Sequence, residues 1–229
     1  HIPDLKNLIK GISFLLSQKG VFIFEEPYLG SMYKKISYDQ IYDEHIYIFS
    51  VSSIKKIFDL FGFDLVDVMP QKTHGGSMRY VIGKKNEYKI SKNVKKFLKK
   101  EKLKNIDSIK GCLNFKKKCE QSKKMLLSKI NIFKSRGKEI VGYAATSKST
   151  TILNYCKIGP ELIKYICDTT KNKIGKYSPG THIPIKSMDH FYKDKPEVVY
   201  LFAWNHKNEI FKKEKKIKNK IKWISHVKI

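Results

Sequence analysis

Two short polar clusters in the first third of the chain contain the side chains that proton-transfer chemistry uses. The first cluster places Tyr42, Asp43, Glu44 and His45 in four consecutive positions. An imidazole titrates near neutral pH, and a nearby carboxylate or phenol can fix its tautomer or position a substrate hydroxyl. We interpret His45 as a candidate general base, with Tyr42 and Glu44 as its partners. A polar surface loop is the alternative, since residues adjacent in an extended segment point to opposite faces.

The second cluster runs from Thr73 to Tyr80 and places His74 directly before Gly75 and Gly76. A glycine pair favours a sharp turn or a close approach of the backbone to a ligand. His74 is therefore a weaker candidate for substrate contact. A simple turn residue is the alternative.

A third candidate site lies in the second half of the chain, where residues 140–143 predict a strand and residues 144–147 a turn into a helix. The N–H groups of the helix N-terminus and the Lys148 ammonium would face an anion, and a phosphate suits such a place. Because no known phosphate-loop pattern is present, an ordinary turn with a surface lysine is an equal alternative. Asp168, after the next predicted strand, could hold a ribose hydroxyl or cap a helix.

Regular elements around the first two clusters predict an α/β unit. Asp4 is a good helix cap, and apolar residues at helical spacing follow it to a predicted end near Gly20. A buried parallel strand is predicted to begin at Val21, and a second helix is capped by Ser52 or Ser53. Two further strands are predicted, at residues 63–68 and 78–82, the latter as an antiparallel partner.

The rest of the chain predicts a linking region and a second lobe. Residues 89–138 are rich in lysine with apolar residues at near-helical spacing, which favours one or two amphipathic linking helices over a coiled-coil partner. Beyond them, strands are predicted at 140–143, 162–167, 198–202 and 222–225, with a loop at 175–181. This rhythm is typical of a small doubly wound sheet. We expect domains at 1–88, 89–138 and 139–229.

The composition is strongly basic, with 47 Lys and Arg against 21 Asp and Glu, and a net charge of +26. Such a charge suggests nucleic acid or an anionic membrane, but Arg79 and Arg136 are the only arginines, and nucleic-acid recognition relies heavily on arginine. The lysines accompany isoleucine and asparagine, as an AT-rich genome would encode, so we favour a solvated basic surface. No apolar run approaches the roughly 18 residues of a membrane span. The four cysteines lack metal-site spacing and indicate reduced, cytoplasmic thiols.

Several motifs together resemble one enzyme family. They are residues 1–4 (HIPD), 20–28, 41–45 and 73–77 in the first half, and residues 142–148, 153–155, 168, 173–180, 203–205 and 209–210 in the second. In this order they closely resemble the S-adenosylmethionine-dependent C-methyltransferases of nucleotide-linked deoxysugars, of the C-3'-methyltransferase type. The resemblance covers nearly the whole chain.

The resemblance implies a fold and a reaction. The fold would be the second half of a class I methyltransferase sheet with a reversed last strand, then linking helices and a doubly wound α/β lobe. In the reaction a base removes the proton beside the 4-keto group, and the enolate attacks the methyl group of S-adenosylmethionine. His45 would be the base, Tyr42 and Glu44 would position sugar hydroxyls, and His1 would lie in the same site. Substrate contacts are implied for His74, Tyr143, Ser147, Lys148, Asn154, Lys176 and Asn205.

The family also has an N-terminal zinc-binding region and a glycine-rich S-adenosylmethionine loop, and neither precedes His1. We therefore expect this chain to be a truncated catalytic and substrate-binding part, with most of the methyl-donor pocket, and any zinc, in a missing N-terminal half. A truncated gene product, a fragment of a longer protein and a split enzyme with that half as its partner are the alternatives. The expected substrate is a nucleotide-diphosphate keto-deoxysugar, with no nucleic-acid or membrane partner and no metal site in these residues. A non-catalytic nucleotide-sugar-binding remnant and a basic nucleic-acid-binding protein are the alternatives.

Overall fold

The structure is a computed structural model that describes residues 1–229. The chain forms two compact units. The N-terminal unit contains residues 1–35 and 43–117, and the C-terminal unit contains residues 36–42 and 118–229. The bounds of these units differ from the domain boundaries expected after residues 88 and 138. The expected three-part division stays a prediction.

The N-terminal unit is built on a three-stranded antiparallel sheet of order β1-β3-β2. Its elements are α1 (Leu5–Leu15), β1 (Val21–Pro27), α2 (Leu29–Lys35), α3 (Val51–Asp59), β2 (Phe63–Gln71), β3 (Ser77–Lys84), α4 (Lys92–Leu103) and the start of α5 (Ile109–Ser135). The last strand, β3, lies between the other two and runs antiparallel to both. The expected reversed strand is thereby confirmed, and β1 forms an edge of the sheet with its other side unpaired.

The helix starts of this unit follow its capping residues. Asp4 caps α1 by accepting a hydrogen bond from the Asn7 N–H at 3.0 Å, as predicted. The prediction of an end near Gly20 was wrong, because α1 stops at Leu15. The cap of α3 was also predicted wrongly, since Ser50 rather than Ser52 or Ser53 forms a capping box, with Ser53 at its third position.

One buried carboxylate organises the scaffold of the N-terminal unit. Glu101 on α4 is 0% exposed and accepts hydrogen bonds from the Val51 and Ser52 N–H groups at 2.8 and 2.9 Å. It also accepts from the hydroxyls of Tyr28 at 2.8 Å and Ser52 at 2.7 Å. Four donors on two oxygens satisfy the carboxylate and hold the start of α3 against α4.

The C-terminal unit contains a five-stranded, all-parallel sheet of order β6-β5-β4-β7-β8. Besides most of α5, its elements are β4 (Ile140–Tyr143), α6 (Ser147–Cys156), β5 (Ile166–Asp168), β6 (Ile185–Ser187), α7 (Met188–Asp194), β7 (Val198–Leu201), α8 (Lys207–Lys213) and β8 (Lys222–Ile224). This order confirms the predicted doubly wound lobe. The strand predicted at 162–167 is shorter, and β6 was not predicted.

The strand order places a topological switch point in the C-terminal unit. From β4 the chain proceeds through α6 to β5 on one side, whereas β7 pairs with the other side of β4. In such sheets a crevice opens beyond the carboxyl ends of the two strands, and ligands bind there. Here it lies between the segments that follow Tyr143 and Leu201.

The region 89–138, predicted to form one or two amphipathic helices, contains α4 and α5, and their linking role stays a prediction. Lysine and apolar side chains both recur along the 27 residues of α5. No helix of the chain has both the length and the apolar run that a membrane crossing needs.

Candidate active site and anion-binding crevice

The structure brings together two of the predicted catalytic residues, His1 and His45. Their ring centroids are 5.7 Å apart with a 49° angle between the ring planes. Both line a cavity of about 330 Å³ in the N-terminal unit. The remaining wall is mainly aliphatic and aromatic, formed by Ile2, Leu5, Leu8, Ile9, Phe22, Phe24, Glu26, Tyr47, Phe49, Ile54, Ile57 and Phe58.

A tyrosine ties the segments that carry the two imidazoles. The Tyr47 hydroxyl donates a hydrogen bond to the Pro3 carbonyl at 3.0 Å, and the Tyr47 ring stacks on Phe49 at 5.8 Å. Pro3 lies two residues after His1, and Tyr47 lies two residues after His45. The bond therefore joins the start of the chain to the loop after Glu44. Tyr47 has no predicted role, although it lies only two residues beyond His45 of the first cluster.

Two glutamates at the end of β1 have different surroundings. Glu26 lines the cavity, whereas its neighbour Glu25 points to the turn at Thr73. Hydrogen bonds from Thr73 and Ser77, and the Arg79 guanidinium at 3.1 Å, hold the pKa of the Glu25 carboxyl below its usual value. Glu26 was not among the predicted site residues, although side chains alternate along a strand and this places Glu26 on the face opposite Glu25.

Two other predicted catalytic residues are placed differently. Glu44 is exposed in a turn and is not part of the cavity wall. Tyr42 is half-buried and belongs to the segment 36–42 of the C-terminal unit. The roles predicted for His1, His45, Tyr42 and Glu44 stay predictions.

His74 lies in a short 3-10 turn between β2 and β3, with a left-handed φ of 50°. It is exposed, and it does not line the cavity. The following Gly76 has a φ of 127°, and a Cβ there would come within 2.7 Å of the Ser31 side chain. These features match the alternative of a turn residue, and substrate contact by His74 stays a prediction.

In the C-terminal unit, Lys148 and Asn205 meet across the topological switch point. Lys148 is 8% exposed, and its Nζ donates a hydrogen bond to Asn205 Oδ1 at 3.1 Å. The ammonium also lies over the Trp204 ring, 5.0 Å from its centroid. A cation at the ligand crevice of an α/β sheet can attract an anion, so Lys148 marks a candidate site.

The turn before Lys148 is fixed from two sides. Asp168 is buried and accepts hydrogen bonds from the Ala145 N–H at 2.7 Å and the Thr170 N–H at 2.8 Å. Lys173 donates to the Ala145 carbonyl at 2.7 Å. Thr146 caps α6 by accepting from the Ser149 N–H at 3.2 Å. Asp168 thus organises the turn in this structure, while the predicted ribose contact is not tested.

The other predicted substrate contacts fall at different places around this unit. Tyr143 is buried, and its hydroxyl donates to Glu214 at 2.7 Å, so it faces the core rather than the crevice. Asn154 donates to the Pro179 carbonyl at 3.0 Å and holds the loop that carries the exposed Lys176. Ser147 is exposed at the first residue of α6. Only Lys148 and Asn205 are in direct contact.

Metal ligands are not clustered in either unit. No group of three or more His, Cys, Asp or Glu side chains is placed to hold an ion. The four cysteines are free, and only Cys112 is exposed.

Comparison with known proteins gives the family of this fold and these residues. The family described as "C-methyltransferase C-terminal domain" matches residues 72–227, and the family described as "Methyltransferase domain" matches residues 1–68. The C-methyltransferase NovU of Streptomyces niveus is 32% identical over 216 residues, which are 94% of this chain. The chain spans about half of that relative, 51% of its length. Because the first family covers more than half of the 229 residues, the chain belongs to the S-adenosylmethionine-dependent C-methyltransferases.

Proposed function

We propose that the protein to which these residues belong methylates a carbon beside the ketone of a nucleotide-linked deoxysugar. The N-terminal unit would remove the proton, and the C-terminal unit would bind the nucleotide diphosphate. The single observation that carries this proposal is the pair of imidazoles, His1 and His45, 5.7 Å apart at one cavity in a member of the C-methyltransferases.

His45 is the proposed base. A neutral imidazole nitrogen of His45 would take the proton from the sugar carbon, and the C–H electron pair would form the enolate while negative charge moves to the ketone oxygen. A donor near that oxygen would lower the barrier, and His1 is the nearest imidazole. The apolar wall of the cavity strengthens such interactions by excluding water.

The cavity residues do not fit the whole methyl donor. S-adenosylmethionine supplies an electrophilic methyl group, but its ribose and amino-acid ends need several polar partners. The cavity offers only His1, Glu26, His45 and Tyr47 among predominantly apolar side chains. We therefore assign to this chain the proton-transfer step alone, and derive no step through the donor.

The crevice of the C-terminal unit is the proposed site of the pyrophosphate. Lys148 supplies a positive charge there, and the first N–H groups of α6 lie beside it. Asn205, across the switch point, adds an amide that can donate to a phosphate oxygen. Ser147 and Lys176 remain proposed contacts for the outer part of the nucleotide.

Deuterium exchange tests the base. In the intact protein, His45→Asn should abolish exchange of the sugar proton beside the ketone in deuterated water, because no imidazole remains to remove it. Tyr47→Phe is the matched control, since it leaves both imidazoles and removes only the bond to Pro3. We expect exchange in the control to be slowed but measurable. Normal exchange in His45→Asn would remove His45 as the base.

A second candidate function is a nucleotide-sugar-binding protein without catalysis. The contrast between a well-built anion crevice in the C-terminal unit and a cavity that does not fit the whole methyl donor favours it. Titration of the intact protein with thymidine diphosphate and with S-adenosylmethionine separates the two functions. Binding of the nucleotide without the methyl donor would support the binding protein.

A further inference from the structure

A chain of contacts in the C-terminal unit runs from the start of the segment 36–42 to the crevice. Asp39, in the 3-10 turn of that segment, is 0% exposed and accepts a hydrogen bond from Trp204 Nε1 at 2.6 Å. The other carboxylate oxygen of Asp39 lies 3.3 Å from Nε2 of His226, whose side chain is 1% exposed. The hydrogen bond from Trp204 thus fixes one oxygen of the carboxylate, while the His226 ring lies beside the other oxygen without a hydrogen bond to it.

Trp204 contacts both Asp39 and Lys148, the proposed phosphate-binding lysine. With its N–H bound to Asp39, the indole ring cannot rotate freely, and its face carries the Lys148 ammonium at 5.0 Å. Asn205 accepts from the same ammonium at 3.1 Å. Both the ring and the amide are neutral, so these two contacts orient the ammonium without neutralising its charge.

The geometry points to Trp204 and Asp39 as positioning residues that aim the Lys148 ammonium into the crevice for a ligand bearing a pyrophosphate. This inference rests on the proposed nucleotide site and adds the residues that set its geometry. A lysine has four flexible side-chain bonds, and a cation held in place before binding loses less entropy when the anion arrives. Asp39 reaches this role from a segment far from the crevice in sequence.

Titration of the intact protein with thymidine diphosphate and inorganic pyrophosphate tests the inference. Lys148→Met should weaken binding about 10-fold to 100-fold, as for a lost charged hydrogen bond. Trp204→Leu, which removes the ring, should weaken it about 2-fold to 30-fold, the range of a cation–π contact. Asp39→Ala should weaken it too, and Asp39→Asn should restore part of the loss because an amide oxygen still accepts from the indole.

Tyr165→Phe is the matched structural control. Tyr165 lies just before β5, at the end of the sheet away from the crevice, and its hydroxyl donates to Asp194 at 2.9 Å. This variant therefore also removes a donor from a carboxylate. We expect unchanged affinity. If Tyr165→Phe weakens binding as much as Trp204→Leu, the effect is one of general stability and the inference is wrong.

A spectroscopic measurement separates this inference from the nucleotide site. In the ligand-free protein, the ε-methylene protons of Lys148 should show an upfield ring-current shift that Trp204→Leu removes and Asp39→Ala reduces. If the ε-methylene protons of Lys148 show no upfield displacement of their chemical shift in the wild type, the positioning role is wrong even where the nucleotide binds. Absence of binding by a wild type that shows the shift would overturn the nucleotide site, and the positioning role with it.

Discussion

The two units use their buried polar groups in opposite ways. In the N-terminal unit, Glu101 is buried in the scaffold, and the candidate site is a mainly apolar cavity beside the unpaired edge strand β1. In the C-terminal unit, Lys148 and Asp168 are buried at the crevice itself, at the middle of a five-stranded sheet.

This difference indicates which ligand chemistry each unit can support. A preformed polar crevice binds an anion with little reorganisation, whereas an apolar cavity with two imidazoles strengthens proton transfer once water has been excluded. Under the proposed function, the C-terminal unit would supply affinity for the nucleotide and the N-terminal unit would supply reactivity.

The largest expected effect concerns the scaffold of the N-terminal unit. Glu101→Ala should lower its free energy of unfolding by roughly 3 kcal/mol or more, because the Val51 and Ser52 N–H groups and the Tyr28 hydroxyl lose a buried acceptor. Urea unfolding followed by separate probes in each unit measures the loss.

Glu101→Gln is the matched variant for this test. It keeps the side-chain shape and one oxygen, so we expect a smaller loss than for alanine. Nucleotide affinity in the C-terminal unit should stay unchanged in both variants. Equal stability of Glu101→Ala and the wild type would show that the scaffold does not depend on this carboxylate.

Thiol reactivity gives the next largest contrast. Cys112 of the N-terminal unit is exposed, whereas Cys119, Cys156 and Cys167 of the C-terminal unit are buried. Burial raises the pKa of Cys167 to about 12 and that of Cys119 to about 11, so little of either is thiolate at pH 8. We expect the Cys112 thiol to react with a disulfide reagent at least about a hundredfold faster than the three buried thiols.

Substitution and pH check this assignment. Cys112→Ser should remove the fast phase, and the slow phases should follow the unfolding of the C-terminal unit as urea is added. Raising the pH should speed the slow thiols, since their thiolate fraction grows until the pH passes the raised pKa. Fast labelling of Cys167 in the folded protein would mean that the C-terminal sheet opens readily. The crevice would then not be preformed.

Local patterns were sufficient to predict most of the fold. Asp4 capped its helix as expected, and the run from Val21 became a strand. The prediction that this strand is buried and parallel was wrong, because β1 is an edge strand antiparallel to β3, with Val21 and Ile23 exposed. The β6 strand was missed because only three residues pair there, too few for a periodic signal. The start of α3 shifted because Ser50, Ser52 and Ser53 all suit a cap, and only the fold selects one.

The candidate site was less predictable, since its contacts join residues far apart in sequence. Family resemblance placed His1 with His45, and the structure brings their rings together. Nothing in the local sequence connects Asp39 with Trp204, which are joined only once the parallel sheet has formed. The hydrogen bond from Tyr143 to Glu214 likewise joins residues far apart in sequence, and the predicted substrate contact of Tyr143 stays a prediction.

The smallest expected effect concerns Glu25, whose carboxyl binds Thr73, Ser77 and Arg79. Since its pKa is lowered in the folded state, this cluster stabilises the N-terminal unit above about pH 4.3, the ordinary value for glutamate, and that stability is lost as the pH falls through the lowered pKa. The carboxyl is partly exposed, so we expect a contribution of at most about 1 kcal/mol. Glu25→Gln should flatten this acid limb in urea unfolding from pH 7 to pH 3.

Substituting Thr73 and Arg79, two partners of Glu25, tests whether this cluster serves stability or substrate binding. Thr73→Val should reduce the acid dependence more than Arg79→Met, because the Thr73 hydrogen bond is the largest cause of the lowered pKa. If both variants instead left stability unchanged and weakened sugar-nucleotide binding, the turn that carries His74 would belong to a substrate site. The N-terminal unit would then provide affinity as well as reactivity, and the division of labour between the two units would be wrong at this turn.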